Sequence, residues 1–469
     1  MRNPIAIPGA ILGAILGVLS VVLASAQVKL PKYAHEVLAN GVTVDLLPRG
    51  ELPLVNIEVL VKGGNEADPA GQAGISDLTV QMLREGTATR STDDFSDQLD
   101  ALGGSWRAAT TPQAARVSAQ FLSKDFDRGF DLVADALLHP AFPDGQLTKL
   151  RARMVDQVRS EKDQAQQAIS RYSNAFYFGS GHPYGRIADE ATLGSLDRAK
   201  VAEFYAHNYT GANIIVIVAG KFDENAARAA IARTFGAIPA GDVFQWAAEP
   251  ATPTANTNRL LLVDKPDATQ TYFTISMPGI NRTNPDRSAL WLVNTLFGGR
   301  FTSLLNDALR VNSGLTYGAS SMYQQDKLTG VVRISTYTKT DTTVQAIDMA
   351  IDVMKKLRET GVTAEQLASA KATVEGTYPT RALETPAELA VQLGDIELFG
   401  LNRGEVDDLF SSLDAVTVEK ANAVIRKYLQ PDGLTFTVLG NASKIREQVK
   451  KYAPAMVEVA VSQPGFMIR

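Results

Sequence analysis

The sequence predicts an α+β fold built from two similar α/β-sandwich domains in tandem. Three observations carry that prediction. Strand-like and helix-like segments follow the same order in each half of the chain. A Pro/Ala/Thr-rich stretch with little periodicity, residues 238–258, lies between the halves. Each half also closes on the same pattern. A helical run with a tyrosine (Tyr209, Tyr428) leads into an apolar strand ending in glycine (Gly220, Gly440), at an offset of about 220 residues.

The elements follow from spacing. Asn40-Gly41 between alternating runs marks a hairpin. Apolar alternation predicts a strand over 55–61, and 3.6-residue periodicity predicts helices over 75–83 and 91–102, the second stopped by Gly103-Gly104. Strands over 105–110 and 116–122 come next, then long helices near 126–138, 145–165 and 167–178. A helix (197–207), a strand (214–219) and a helix (224–235) complete the half. The second half repeats the plan with a strand at 271–276, helices at 286–297 and 302–309, and strands at 316–323 and 330–338. Helices at 342–359, 363–375 and 386–399 precede the closing helix (418–428), strand (434–439) and helix (443–451). The domain boundaries read as 27–240 and 259–469, with a linker over 241–258 that would let the halves move.

Composition narrows the function. The chain has 469 residues, 45% hydrophobic and 21% charged, enough apolar content for a large core. Net charge is −5 with no basic stripe, so nucleic acid is not an expected partner. Without any cysteine, disulfides, thiolate metal sites and a cysteine nucleophile are excluded. The N-terminus carries Arg2, an apolar run from Ala10 to Leu23, and Ala24-Ser25-Ala26 as a small-x-small cleavage pattern. Residues 1–26 therefore read as a signal peptide, with an uncleaved anchor as the alternative, and the expected location is the bacterial periplasm. No membrane association is expected after cleavage.

The two-half plan and the segment Gly74-Ile75-Ser76-Asp77-Leu78-Thr79-Val80-Gln81-Met82-Leu83-Arg84-Glu85-Gly86-Thr87 resemble the pitrilysin/insulysin/mitochondrial-processing-peptidase family of inverzincin metallopeptidases. Active members read G-L-A-H-F-L-E-H-M-L-F-K-G-T here. Gly74, Met82-Leu83 and Gly86-Thr87 keep that frame. The resemblance implies two processing-peptidase-type domains forming one clam-like half of a chamber. It also implies an H-x-x-E-H zinc motif, whose histidines grip one metal from a shared helix face. This chain has Asp77, Val80 and Gln81 at those positions. The family's third ligand, a glutamate about 76 residues further on, aligns with Gln157, or with Asp156 after a shift of one. A carboxylate and amides make a poor zinc site, and Val80 moves no proton. The four histidines, His35, His139, His182 and His207, are not spaced as a metal pair and read as satisfied surface or core residues. His182-Pro183-Tyr184-Gly185 resembles a structural loop of the family.

The second half keeps another family element. Residues 296–318 resemble the family's glycine-bearing loop, helix and Arg–Tyr motif, with Arg310 and Tyr317 seven residues apart. Arg310 is expected to end the short helix, Gly314 to make the turn and Tyr317 to begin the next strand. Peptide hydrolysis builds negative charge on the carbonyl oxygen. A phenol O–H can donate to it, at about 2.7–4 kcal/mol of barrier per preorganised donor. A guanidinium can hold a substrate carbonyl through two donors. The resemblance thus assigns Tyr317 to oxyanion stabilisation and Arg310 to substrate binding. Gly298 and Gly299 would let substrate or partner backbone approach, or cap the helix after Phe297.

The leading expectation is a subunit with no metal of its own. It would pair with a homologous H-x-x-E-H, zinc-bearing subunit and act on unfolded peptides. A scaffold subunit without any peptidase role is the alternative. A third reading, an autonomous hydrolase using Asp77, needs ligands that the sequence does not supply. Peptide could also add to a strand edge in the first half.

Overall fold

The computed structural model describes residues 28–50, 52–247, 257–466 and 468. The signal-peptide reading (1–26) and the middle of the linker lie outside them. Among the described residues, twelve strands form two six-stranded mixed sheets. The first half holds β1 (Ala34–Val37), β2 (Thr43–Pro48), β3 (Leu54–Lys62), β4 (Ser105–Thr110), β5 (Ala114–Leu122) and β6 (Ile214–Gly220) in the order β1-β2-β6-β3-β5-β4. The second holds β7 (Arg259–Asp264), β8 (Gln270–Pro278), β9 (Ala319–Gln325), β10 (Gly330–Lys339), β11 (Thr435–Gly440) and β12 (Met456–Ala460) in the order β12-β7-β11-β8-β10-β9. β6 and β11, whose sequences match, occupy equivalent places, each parallel to one neighbour and antiparallel to the other. The copies differ at one edge: β1 runs antiparallel to β2, whereas β12 runs parallel to β7.

The α+β class and the duplication are as expected. Several elements differ in extent. β7 and β12 escaped the periodicity reading because both are short, and β7 is a continuous apolar run rather than an alternating one. The short helices Glu190–Gly194, Gly404–Asp407 and Leu409–Asp414 hold too few turns for a periodic signal. The helix expected over 363–375 runs on from Ala364 to Ala382 with Pro379 inside it.

The two halves also pack directly against each other. The helix Pro386–Phe399 of the second half lies on β3 and β6 of the first. The helix Ala165–Phe178 of the first half lies on β8 and β11 of the second. A sheet face rich in Val, Ile and Leu must be covered, and here each half supplies the cover for the other. At the first seam Leu47, Leu60, Ile215 and Ile217 pack with Leu389, Ala390, Leu393 and Ile396. Polar contacts follow the same lines: Arg116 donates to Glu58 at 2.9 Å and to Asp395 at 2.8 Å, and Ser173 meets Thr274 at 2.7 Å. The start of the linker docks as well, with Phe244 N–H donating to Asn213 Oδ1 at 2.7 Å.

Candidate functional site

The helix Ile75–Met82 begins without a side-chain cap of its own. Asp68, upstream, fills that role: its carboxylate accepts from Gly74 N–H at 2.7 Å and Ser76 N–H at 3.0 Å. Asp77 and Gln81, one turn apart, face the end of β4, and the carboxylate is hydrogen-bonded to the Gln81 and Thr110 side chains. Burial pushes the Asp77 carboxyl above its usual range, against these bonds and the nearby Arg171 guanidinium. Val80 is fully buried in the first core. Gln157 is exposed on the helix Asp144–Asp163 and donates to Glu161 Oε1 at 3.1 Å. Glu161, a residue that the sequence reading passed over, is buried and paired with Arg171. Asp156, the shifted choice, is solvent-facing and bonded to Arg159 at 3.2 Å. Zinc needs three deprotonated N, S or O donors converging on one point. The four aligned positions offer one carboxylate, already bonded, with a guanidinium nearby, so this donor set does not fit zinc.

The histidines lie elsewhere. His182 is buried, accepts from Tyr184 N–H at Nδ1 (3.0 Å) and is held near pKa 4 by burial, hence neutral; it packs in an aromatic cluster with Phe178 and Tyr184. His139 is surface-exposed beside Asp135, and His207 is solvent-exposed. His35 contacts Asp45 and Glu397.

In the second half, the helix Arg287–Asn294 runs on into a π-helical turn, Thr295–Gly299. A second π segment, Asp307–Asn312, follows the short turn Leu304–Asn306. Single π turns inside helices recur at functional sites because the extra residue redirects the side chains that follow. Arg310 sits inside the second π segment, not at the end of a plain helix. Gly314 then makes the expected turn at φ +65°, and Gly314, Leu315 and Thr316 donate back to the carbonyls of Arg310 and Leu309. Tyr317 lies two residues ahead of β9 rather than within a strand. Its neighbours pin it. Gly318 N–H donates to Thr316 Oγ1, and Thr336 Oγ1 donates to Gly318 O at 2.8 Å. The residue is left 80% exposed on an anchored backbone.

Gly298, Gly299, Arg310 and Tyr317 line one cavity of about 620 Å³. The helix Ala165–Phe178 contributes Gln166 and Ser170 to it, so the exchanged packing brings both halves to this site. Phe301 lies under the Arg310 guanidinium at 4.5 Å. Tyr272 and Tyr337, cross-strand partners stacked at 5.3 Å, form another wall. Sequence reasoning missed these three aromatics. Alternation placed Tyr272 and Tyr337 on strands, but only pairing sets them side by side. A Cβ on Gly298 would lie 2.3 Å from Ser321 N, so this glycine lets the π turn press against β9. Gly299 is exposed at the cavity rim. Among the described residues, no carboxylate pairs with Arg310.

Fold and site together define a class: a duplicated α+β chain with a single, already bonded carboxylate on the helix Ile75–Met82 of one half and an Arg–Tyr pair in a cavity lined mainly by the other. Comparison with known proteins agrees. Residues 51–180 match the family described as insulinase (peptidase family M16), and residues 195–374 match the peptidase M16 inactive domain. An uncharacterized zinc protease of Mycobacterium bovis is 27% identical over 385 residues, covering 81% of this chain and 87% of that protein. A non-peptidase homolog of Helicobacter pylori is 22% identical over 400 residues, covering 84% and 90%. The crystal structure of a peptidase M16 inactive domain from Pseudomonas fluorescens superposes with a TM-score of 0.81 at 23% identity, over 87% of this chain and 98% of that one. The chain belongs to the M16 (insulinase/pitrilysin) peptidase family.

Proposed function

We propose that this chain is the subunit without a catalytic zinc in a two-subunit periplasmic M16 peptidase, and that it binds unfolded peptide for a homologous H-x-x-E-H partner. The observation that carries the reading is an asymmetry. The donor set around Asp77 is dismantled, while Arg310 and Tyr317 share a cavity and keep their polar ends free of carboxylate partners among the described residues. Arg310, stacked on Phe301, offers two N–H donors to a substrate carbonyl. Tyr317 offers a phenol O–H to the oxygen on which charge develops. A buried aromatic would serve packing alone, whereas a tyrosine that is 80% exposed on a pinned backbone is available to a ligand.

The test is reconstitution. The mature chain mixed with an H-x-x-E-H homologue encoded beside it should cleave an unfolded peptide that neither cleaves alone. Tyr317→Phe and Arg310→Ala should each lower the joint kcat/KM by about 10²–10³-fold, the cost of removing one preorganised donor. Full joint activity in both variants would sink the assignment. The name of the Helicobacter pylori relative, a non-peptidase homolog, favours a second reading, a scaffold subunit with no peptidase role. Copurification with a non-peptidase assembly and no gain in hydrolysis on mixing would select it.

A further inference from the structure

We propose that His35, Asp45 and Glu397 form a binding site for one divalent transition-metal cation of the zinc type, at the seam where the exchanged helix Pro386–Phe399 meets the β1–β2 hairpin. His35 and Asp45 are cross-strand partners in β1 and β2, and Glu397 arrives from the second half. Nδ1 of His35 lies 2.8 Å from Asp45 Oδ1 and 3.4 Å from Glu397 Oε1. One ligand atom from each of the three residues lies within 4.8 Å of the other two. Ligands bonded to zinc at about 2.0–2.2 Å in a tetrahedron stand roughly 3.3 Å apart; the two His35 separations bracket that value, and the two carboxylates, within 4.8 Å of each other, would draw together around an ion.

A second observation points to a ligand. Asp45 is 0% exposed, and its Oδ2 has no hydrogen-bond partner. A buried carboxylate oxygen without a donor carries its full desolvation cost. A divalent cation would meet it and balance both carboxylates beside a neutral imidazole. The other cation near Glu397, Lys62, donates instead to Ala212 O at 3.2 Å. One imidazole with two carboxylates suits zinc and its neighbours better than calcium or magnesium, which take oxygen ligands alone. His35 is 47% exposed, which leaves a route for the ion and a place for water as fourth ligand. The cation would tie the β1–β2 hairpin to the exchanged helix, apart from both the Asp77 helix and the Arg310–Tyr317 cavity.

The experiment uses the full mature chain, stripped with a chelator and titrated with Zn²⁺ by calorimetry, with elemental analysis for stoichiometry. Co²⁺ gives a parallel readout through its visible absorption. One ion per chain is expected. His35→Ala and Glu397→Gln should each weaken binding roughly 100-fold or more, beyond the 10–100-fold that outer-shell partners cost. Asp77→Asn should leave it unchanged. Far-UV circular dichroism establishes that each variant is folded, and Glu397→Gln, nearly isosteric, guards against a collapsed site. Absence of stoichiometric Zn²⁺ in the parent chain, binding that survives both seam variants, or loss in Asp77→Asn would each overturn the site. Joint hydrolysis with the partner is read separately, so this inference and the peptidase reading stand or fall apart.

Discussion

Glu66 shows how single residues record the junction between linker and halves. It sits in the turn Gly64–Ala67, accepts from Ala247 N–H at 3.1 Å through Oε1, and leaves buried Oε2 without a partner. Burial is the largest influence on its carboxyl and pushes it up to about 7, against the Ala247 bond and the Lys327 charge. The folded state therefore holds the proton to higher pH than the unfolded chain, whose carboxyl titrates near 4.5. The stabilisation is fully present below that value and is lost as pH rises towards about 7. Urea midpoints of wild type and Glu66→Gln at pH 5 and pH 8 test this. The variant should gain relative stability at pH 8 and show a flatter pH dependence. Parallel pH dependences would count against the assignment.

Among the elements, the two π segments around residues 300–306 matter most. A hydrophobic pattern with a 3.6-residue period predicts plain helices over 286–297 and 302–309 and carries no mark of an inserted residue. The structure widens both and so turns Arg310 towards Phe301 and the cavity. Gly298 makes the first of them possible. A methyl there would press on Ser321 N at 2.3 Å and Oγ at 2.6 Å, groups held by β9 and by the Ser321–Asn294 bond. Gly298→Ala should destabilise the chain by about 1–3 kcal/mol, the range for overpacking. Thermal unfolding checks it, and an unchanged midpoint would mean that the π turn has room to spare.

At the scale of the whole molecule, the exchanged helices predict that the two halves unfold as one cooperative unit. Leu393, fully buried, faces the first sheet from a helix encoded in the second half. Leu393→Ala should cost about 2–5 kcal/mol, for lost transfer energy and a cavity. It should lower a single transition seen at both Trp106 and Trp291. Calorimetry resolving two transitions, of which one moves, would show that the halves unfold separately. The C-terminal segment adds to this coupling: Phe466 is buried against Tyr172 at 5.0 Å and below Lys162 at 5.1 Å, far from its neighbours in sequence.

The sequence by itself determined the class of the fold, the duplication and the spacing of Arg310 and Tyr317, and its resemblance to the family set Asp77, Val80, Gln81 and Gln157, or Asp156, at the metal positions. These are local facts. Hydrophobic period, residue chemistry and separation along the chain can all be read without knowing which segments touch. Only the tertiary structure decided that Glu161 and Arg171 neutralise each other near Asp77, that Tyr272, Tyr337 and Gln166 wall the Arg–Tyr cavity, and that His35 meets Glu397. Each of these contacts joins residues that strand pairing, helix packing or the exchange of helices between the halves brings together. Their sequence separation carries no periodic signal, because burying two apolar sheet faces, rather than any local preference, selects which surfaces meet.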